Sequence, residues 1–182
     1  MTEVDSAACA ELLAFWREAG AERWFAKDDA CDRLFRERFL ERHEAAAGGL
    51  DGWAETAEGA LALMLLLDQF PRNAFRGTAR MYATDPLARR LAARALAAGH
   101  DRRSEADLRV FLYLPFSHSE AIAAQRRAVE LFRQLGPENE SHARRHHDIV
   151  ARFGRFPHRN PILGRATTAE EQRFLDGGGF AG

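Results

Sequence analysis

The spacing of apolar residues constrains the fold of this chain more than any other feature of its sequence. Apolar side chains recur at intervals of three and four positions, which is the period of an amphipathic α-helix. No stretch alternates apolar and polar residues with β-branched side chains, as a half-buried strand would. The sequence therefore predicts an all-α fold, a bundle or solenoid-like array of helices joined by short corners. Two groups show the spacing best: Cys9, Leu12, Leu13 and Trp16, then Cys31, Leu34, Phe35 and Phe39.

Capping residues, prolines and glycines divide the first half of the pattern into helices. Asp28 or Asp29 can cap a helix that ends at AAAGG, because an aspartate side chain accepts from the free amides of a first turn. Asp85 followed by Pro86 begins another helix that runs to Gly99, since proline suits the first helical position.

The second half contains similar signals. The string SHSE at 117–120 fits a capping box, in which Ser117 accepts from the third helical amide and Glu120 returns to the cap's own amide. A long helix through ESHARRHHDIVARF stops at Gly154, and TTAEEQ begins a last short helix. The glycine-rich tail from about residue 176 is predicted to be flexible, and the whole chain is predicted to be a single domain.

Charge and composition exclude several classes of function. The formal net charge is -1, so no bulk charge attracts nucleic acid or a membrane. The charge is uneven, because residues 1–70 hold 7 basic and 15 acidic side chains and residues 71–182 hold 19 and 12. Two cysteines in helical patterns indicate buried thiols, and the acidic first residues do not resemble a signal peptide. A cytoplasmic protein without a membrane span is expected.

Two similar strings suggest paired corners of the fold. DQFPRN begins at Asp68, and RFGRFPHRN begins at Arg152. Each proline biases the preceding phenylalanine away from the helical region, so a helix should end there and leave carbonyls unpaired. The arginine after each corner can donate to such carbonyls, and the asparagine can close an Asx turn. A structural role is one interpretation; a shared polar pocket is the other.

Three residues are candidates for proton transfer. Asp68 follows a run of leucines, so burial of its carboxylate would require a cation such as Arg72 or Arg76. Under the capping-box interpretation, His118 lies in a first helical turn, where the helix dipole favours a neutral imidazole. Glu120 is two residues further on, although the cap can occupy it.

The basic region that follows favours an anion over a metal. His142 and His146 are spaced for one helical face, but no third ligand is evident, and six arginines between 144 and 165 face the single acid Asp148. These cations would repel a divalent metal and suit a carboxylate or phosphate. No P-loop, GxGxxG, GxSxG or CxxC occurs, so no cofactor is expected. The predicted ligand-binding residues are Arg72, Asn73, Arg76, Arg155, His158, Arg159 and Asn160.

Several long strings resemble a bacterial family. LDQFPRN, YLPFSHSE and RFGRFPHRN, with the segments around them, are similar to the domain of unknown function numbered 924, and the resemblance covers nearly the whole chain. It implies helical hairpins stacked as in tetratricopeptide-repeat proteins. The family has Met where this chain has Ser117, so the capping box is a local feature. The resemblance brings no activity, cofactor or catalytic residue with it.

Two functional hypotheses follow from the sequence. In the first, a pocket rich in Arg, His and Asn binds a small anionic molecule or an acidic peptide, with or without catalysis. In the second, the helical array is a non-enzymatic scaffold for protein partners, and the polar strings hold the helix corners by hydrogen bonds.

Overall fold

The chain is helical in the computed structural model, which describes residues 3–180 except for the side chains of 3–5 and 51. No strand occurs within this range, so the predicted all-α fold is confirmed. Short 3₁₀ helices cover Asp51–Glu55, Ala79–Tyr82 and Pro157–Arg159. The α-helices are α1 (Glu3–Ala19), α2 (Ala21–Trp24), α3 (Asp29–Gly49), α4 (Ala57–Met64), α5 (Phe70–Ala74), α6 (Asp85–Ala97), α7 (His100–Arg103), α8 (Val110–Ser117), α9 (Ile122–Arg133), α10 (Pro137–Phe153) and α11 (Ala169–Asp176).

The chain divides into two compact units. Unit 1 comprises Met1–Arg76 and Arg80–Pro115, and unit 2 comprises Gly77–Ala79 and Phe116–Gly182. That both belong to a single domain stays a prediction. Within the part of the chain that the structure describes, no helix has the length and apolar character that crossing a membrane requires.

The core of unit 1 includes most of the apolar positions that the helical period predicts, but Leu34 is 46% exposed and Cys31 is only partly buried. Phe35 and Phe39 of α3 are fully buried, and their rings meet edge to face at 5.5 Å. Trp16 of α1 lies 5.3 Å from Phe35 and 5.4 Å from Phe111, measured between ring centroids. Such aromatic pairs add to the stabilisation that burial alone provides. Asp28 caps α3 by accepting from two amides of its first turn, as predicted.

A π turn joins α4 to α5 at the first Phe-Pro string. The turn covers Leu65–Gln69, and the amide of Phe70 donates to the carbonyl of Leu65, five residues back. Phe70 has helical angles (φ −51°, ψ −48°), so the prediction that Pro71 ends the preceding helix is wrong. The extra residue in the turn gives the proline ring room, because the carbonyl it would strike in an α-helix is displaced.

Two carbonyls in this turn lack the donor that an α-helix would supply, and side chains from elsewhere in unit 1 contact them. The carbonyl of Leu66 loses its α-helical donor, and Nδ1 of His43 lies 2.9 Å from it. The carbonyl of Leu67 faces a proline without an N–H, and Thr84 Oγ1 donates to it at 2.6 Å. Because buried carbonyls without a donor are costly, these two contacts stabilise the π turn.

Unit 2 is organised around α9 and α10, which pack along each other. The helix predicted to stop at Gly154 does so, with Gly154 in the left-handed conformation (φ 71°). The second Phe-Pro string forms the predicted corner, because Phe156 is extended (φ −91°, ψ 108°) before the 3₁₀ turn. The capping box of Thr168 and Glu171 opens α11.

The predicted capping box at Ser117 and Glu120 is wrong. Ser117 is the last residue of α8, and α9 begins at Ile122 with Ala121 as its N-cap. His118 therefore lies in the connection between two helices and not in a first helical turn. The string has the composition of a cap, but Glu120 contacts residues near the second corner instead.

Candidate functional site

The first polar string forms a buried ion-pair network in unit 1. Asp68 is fully buried, and Arg72 Nη1 lies 3.3 Å from its Oδ1 and donates at 2.7 Å to its carbonyl. The same guanidinium donates twice to Asp85, at 2.8 and 3.0 Å. Gln69 Nε2 donates to Asp68 Oδ2 at 2.6 Å. Asp68 thus has the cation that its burial was predicted to require.

The next two candidates of this string meet a carboxylate on α3. Asn73 Nδ2 donates to Asp32 Oδ1 at 2.7 Å. Arg76 Nε donates to Asp32 Oδ2 at 2.6 Å. Asp32 is itself buried, so these contacts satisfy a carboxylate that would otherwise be costly. Arg72 and Arg76 neutralise acids of their own unit, and Asn73 donates a hydrogen bond to one of them.

Glu120 holds the second corner in unit 2. Its Oε1 accepts from the amide of Phe156 at 2.8 Å, and Arg165 donates to both of its oxygens at 2.7 and 2.9 Å. Burial acts to raise the pKa of the Glu120 carboxyl, but these hydrogen bonds outweigh it and the pKa is lowered. A general base that operates at neutral pH needs the opposite shift.

Glu171 is the second carboxylate at this corner, and it accepts hydrogen bonds from Arg155 and from the start of α11. Arg155 donates to its two oxygens at 2.6 and 2.8 Å, and the amide of Thr168 donates at 2.7 Å. The hydrogen bond from Arg155 is the largest cause that lowers the pKa of Glu171 to about 2. Asn160, which is fully buried, lies between this cluster and the previous one: its Nδ2 is 3.3 Å from Glu171 Oε2, and its Oδ1 accepts from Arg165 Nε at 3.0 Å.

Two other candidates of unit 2, Arg159 and His158, lie beside the ring of Phe156. The Arg159 guanidinium lies over this ring at 4.6 Å from its centroid, and the His158 ring is 5.6 Å away. His118, the remaining candidate in this unit, lies in the connection between α8 and α9. Its charged form would oppose protonation of His142 and His146.

The structure brings the predicted residues together in two sets, one in each unit. The first set surrounds Asp68 and Asp32, and the second surrounds Glu120 and Glu171. Convergence of the two sets on one pocket stays a prediction, as do their anion-binding and catalytic roles. The sequence did not indicate which acids form ion pairs with the arginines. Asp32, Asp85 and Glu171 appear in it as ordinary members of first helical turns.

Unit 2 contains a cavity of about 360 Å³ beside α10 and α11. Its apolar wall consists of Ile149, Phe153, Phe174 and Phe180. The rings of Phe153 and Phe174 are 5.1 Å apart and tilted by 54°. This volume is at the small end of the range for ligand pockets. A small molecule with an apolar body matches the wall.

The polar side of the cavity lies along one face of α10. It comprises His142, Arg145, His146, Asp148 and Arg152. Arg152 pairs with Glu170 in an exposed contact. Arg145 has no carboxylate partner among the residues that the structure describes, and its Nη2 lies 3.3 Å from His142 Nδ1. By contrast, a carboxylate pairs with each of Arg144, Arg155 and Arg165.

The histidine pair does not belong to a metal cluster. Over residues 3–180, leaving aside the side chains not described, no group of three or more His, Cys, Asp or Glu side chains could hold a metal ion. His146 Nδ1 lies 3.0 Å from the carbonyl of His142 and donates to it, and its ring contacts Phe156 and Phe180. His146 is therefore held by a backbone carbonyl and by aromatic rings.

We expect His146 to make the fold sensitive to acid. Burial lowers its pKa to about 3, despite its hydrogen bond to the carbonyl of His142. An unfolded histidine has a pKa near 6.5, so below this pH the unfolded state binds more protons and stability falls. In His146→Gln, the loss of stability between about pH 6.5 and 5 should therefore be smaller than in the unaltered protein by about 2 kcal/mol. Urea unfolding of both proteins at each pH tests this, and an unchanged pH dependence would contradict it.

Comparison with known proteins identifies relatives of the chain. The family profile described as bacterial protein of unknown function (DUF924) matches residues 12–179. A solved structure of a protein of unknown function from Agrobacterium tumefaciens is similar, with a TM-score of 0.92 and 59% sequence identity. The match covers 94% of this chain and 98% of that one. No curated protein matches the chain. The chain thus belongs to the bacterial DUF924 family.

Proposed function

We propose that unit 2 binds a small anionic molecule with an apolar body in the cavity beside α10 and α11. The observation that carries the proposal is Arg145, an exposed guanidinium that borders an apolar cavity and lacks a carboxylate partner among the described residues. A guanidinium pairs well with carboxylate or phosphate, while the phenylalanine rings would cover the remainder of the ligand.

This proposal retains an anion as the ligand but changes the residues that bind it. The sequence predicted Arg155, Arg159 and Arg72 as the arginines that clamp the anion. In the structure Arg155 is engaged by Glu171, so an external anion there would have to displace an internal carboxylate. Arg145 needs no such exchange. The competing acid at the cavity is Asp148, whose side chain is 78% exposed and hydrogen-bonded to His147.

Binding of simple aromatic anions tests the proposal. Benzoate and phenyl phosphate should raise the melting temperature and give a saturable signal in titration calorimetry, whereas benzyl alcohol should not. Arg145→Gln should weaken binding roughly 10- to 100-fold, because a hydrogen bond to a charged group contributes about 1.5–3 kcal/mol. Since Arg145 is exposed, added salt should also weaken binding.

Arg144→Gln is the matched control. Arg144 is the neighbouring arginine on the same helix, it pairs with Glu140, and it does not line the cavity. Its replacement makes the same charge change and should leave affinity unchanged. Equal losses in the two variants, or the absence of binding by any aromatic anion, would contradict the proposal.

A protein-interaction scaffold is the second candidate. It is favoured by the internal use of the polar strings, because Arg72, Arg76 and Arg155 each pair with an acid of their own unit. Stacked helical hairpins of the tetratricopeptide type and a cytoplasmic location belong to the same proposal. If pull-downs with the intact chain and with Arg145→Gln recovered the same partner while no small anion bound, the scaffold would be preferred.

A further inference from the structure

The segment after α11 is held in a defined turn that carries Phe180. The amide of Gly179 donates to the carbonyl of Phe174 at 3.0 Å, and the amide of Gly178 donates to that of Leu175 at 3.1 Å. Gly178 is left-handed (φ 80°). This pair of bonds is a Schellman motif, which ends a helix and turns the chain back across it.

Glycine is required at 179 because the backbone there lies against Phe174. A Cβ atom at this position would be 2.6 Å from two carbons of the Phe174 ring and 2.5 Å from the Phe174 carbonyl oxygen. Both distances are too short for a real contact, so any side chain would displace the turn. The close approach positions the following residue, Phe180.

The Phe180 ring lies among other aromatic rings at one side of the cavity. Its centroid is 4.6 Å from that of His146 and 5.1 Å from that of His158, with interplanar angles of 65° and 81°. The Phe156 ring is 6.4 Å away. Edge-to-face geometry of this kind is the arrangement that aromatic rings prefer. Phe180 is half-buried, and it also forms part of the cavity wall.

We infer that the ligand of this cavity is an aromatic anion, and that the side chain of Phe180 limits the size of the ring system that the cavity admits. The inference rests on the proposed function, because the anion is held by Arg145. The rings of His146, His158 and Phe156 form a cradle that already accepts one aromatic ring from the chain itself. Because Phe180 lines the cavity together with Phe153 and Phe174, removal of its side chain would enlarge the cavity on the side of this cradle.

Comparing one-ring and two-ring anions tests the size limit. In the unaltered protein, benzoate should bind at least as tightly as 2-naphthoate. In Phe180→Ala, the affinity for 2-naphthoate relative to benzoate should rise about tenfold, which corresponds to about 1.4 kcal/mol. Titration calorimetry measures both affinities, and far-UV circular dichroism verifies that the variant is folded.

Two further variants separate the role of Phe180 from general effects. Gly179→Ala keeps the Phe180 ring but disturbs the turn that positions it, so it should shift the affinity ratio in the same direction as Phe180→Ala. Phe25→Ala removes an exposed phenylalanine from unit 1 and should leave the ratio unchanged.

The outcomes distinguish the inference from the proposed function. If benzoate binds with dependence on Arg145 but the ratio is the same in Phe180→Ala, the size limit is wrong and the proposed function stands. If neither anion binds to any of these proteins, both are wrong. A rise in the ratio in Phe180→Ala and Gly179→Ala, without a rise in Phe25→Ala, supports the inference.

Discussion

Arg72→Ala is expected to lower the free energy of unfolding by about 3–5 kcal/mol, because it removes a cation that pairs with the buried carboxylate of Asp68. Asp68 is fully buried, and Arg72 Nη1 lies 3.3 Å from its Oδ1. The variant also removes both hydrogen bonds to Asp85 and the donor to the Asp68 carbonyl. Urea unfolding followed by circular dichroism measures the change.

Two further variants show whether the buried charge causes the loss. Arg90→Ala removes an exposed arginine from α6 and should change stability by no more than about 0.5 kcal/mol. Asp68→Asn in the Arg72→Ala background removes the buried negative charge and should recover part of the loss. If the double variant is less stable than Arg72→Ala alone, the burial of a charged Asp68 is not the cause.

Glu171→Ala is expected to cost about 2–4 kcal/mol at neutral pH, because its carboxylate, 3% exposed, accepts from Arg155 and from the amide that begins α11. Its lowered pKa, about 2, also gives this loss a pH dependence. The carboxylate contributes its full stabilisation above its unfolded pKa of about 4.5 and loses it as the pH falls towards 2. The stability difference between the two proteins should therefore shrink in that window.

Glu170→Ala is the matched control for this prediction. Glu170 is the preceding residue in the first turn of α11, and its side chain and that of its partner Arg152 are each 55% exposed. An exposed pair of this kind contributes about 0–1 kcal/mol. A loss as large in Glu170→Ala as in Glu171→Ala would show that any acid at this helix start has the same effect, and that the buried network is not special.

The helices were predictable from local signals, but the connections that depend on tertiary contacts were not. Asp28 and Gly154 act as the sequence predicts because capping needs only the neighbouring backbone. Pro71 does not end its helix, because a π turn makes room for it and His43, more than 20 residues away, occupies a released carbonyl. Ser117 and Glu120 have the spacing of a capping box, yet the Glu120 carboxylate accepts a hydrogen bond from Arg165, 45 residues further along the chain.

The candidate site illustrates the same limit for charged residues. The arginines between 144 and 165 resemble a cationic surplus when counted along the sequence, because their acids, Glu140, Glu170, Glu171 and Glu120, lie outside that window. Residue type and spacing predict that a guanidinium will find an anion, but not which anion. Arg145 differs from its neighbours only through what the fold places beside it, so no sequence pattern could single it out.

The π turn between α4 and α5 also affects how unit 1 can open. An ordinary helical turn contains its own hydrogen bonds, so it can fray without disturbing the remainder of the protein. Here the carbonyls of Leu66 and Leu67 depend on His43 of α3 and on Thr84, which precedes α6. Local opening of this turn would expose carbonyls and two distant side chains at once. Amide exchange in the turn would then report on cooperative unfolding of the whole unit and not on fluctuations of one helix.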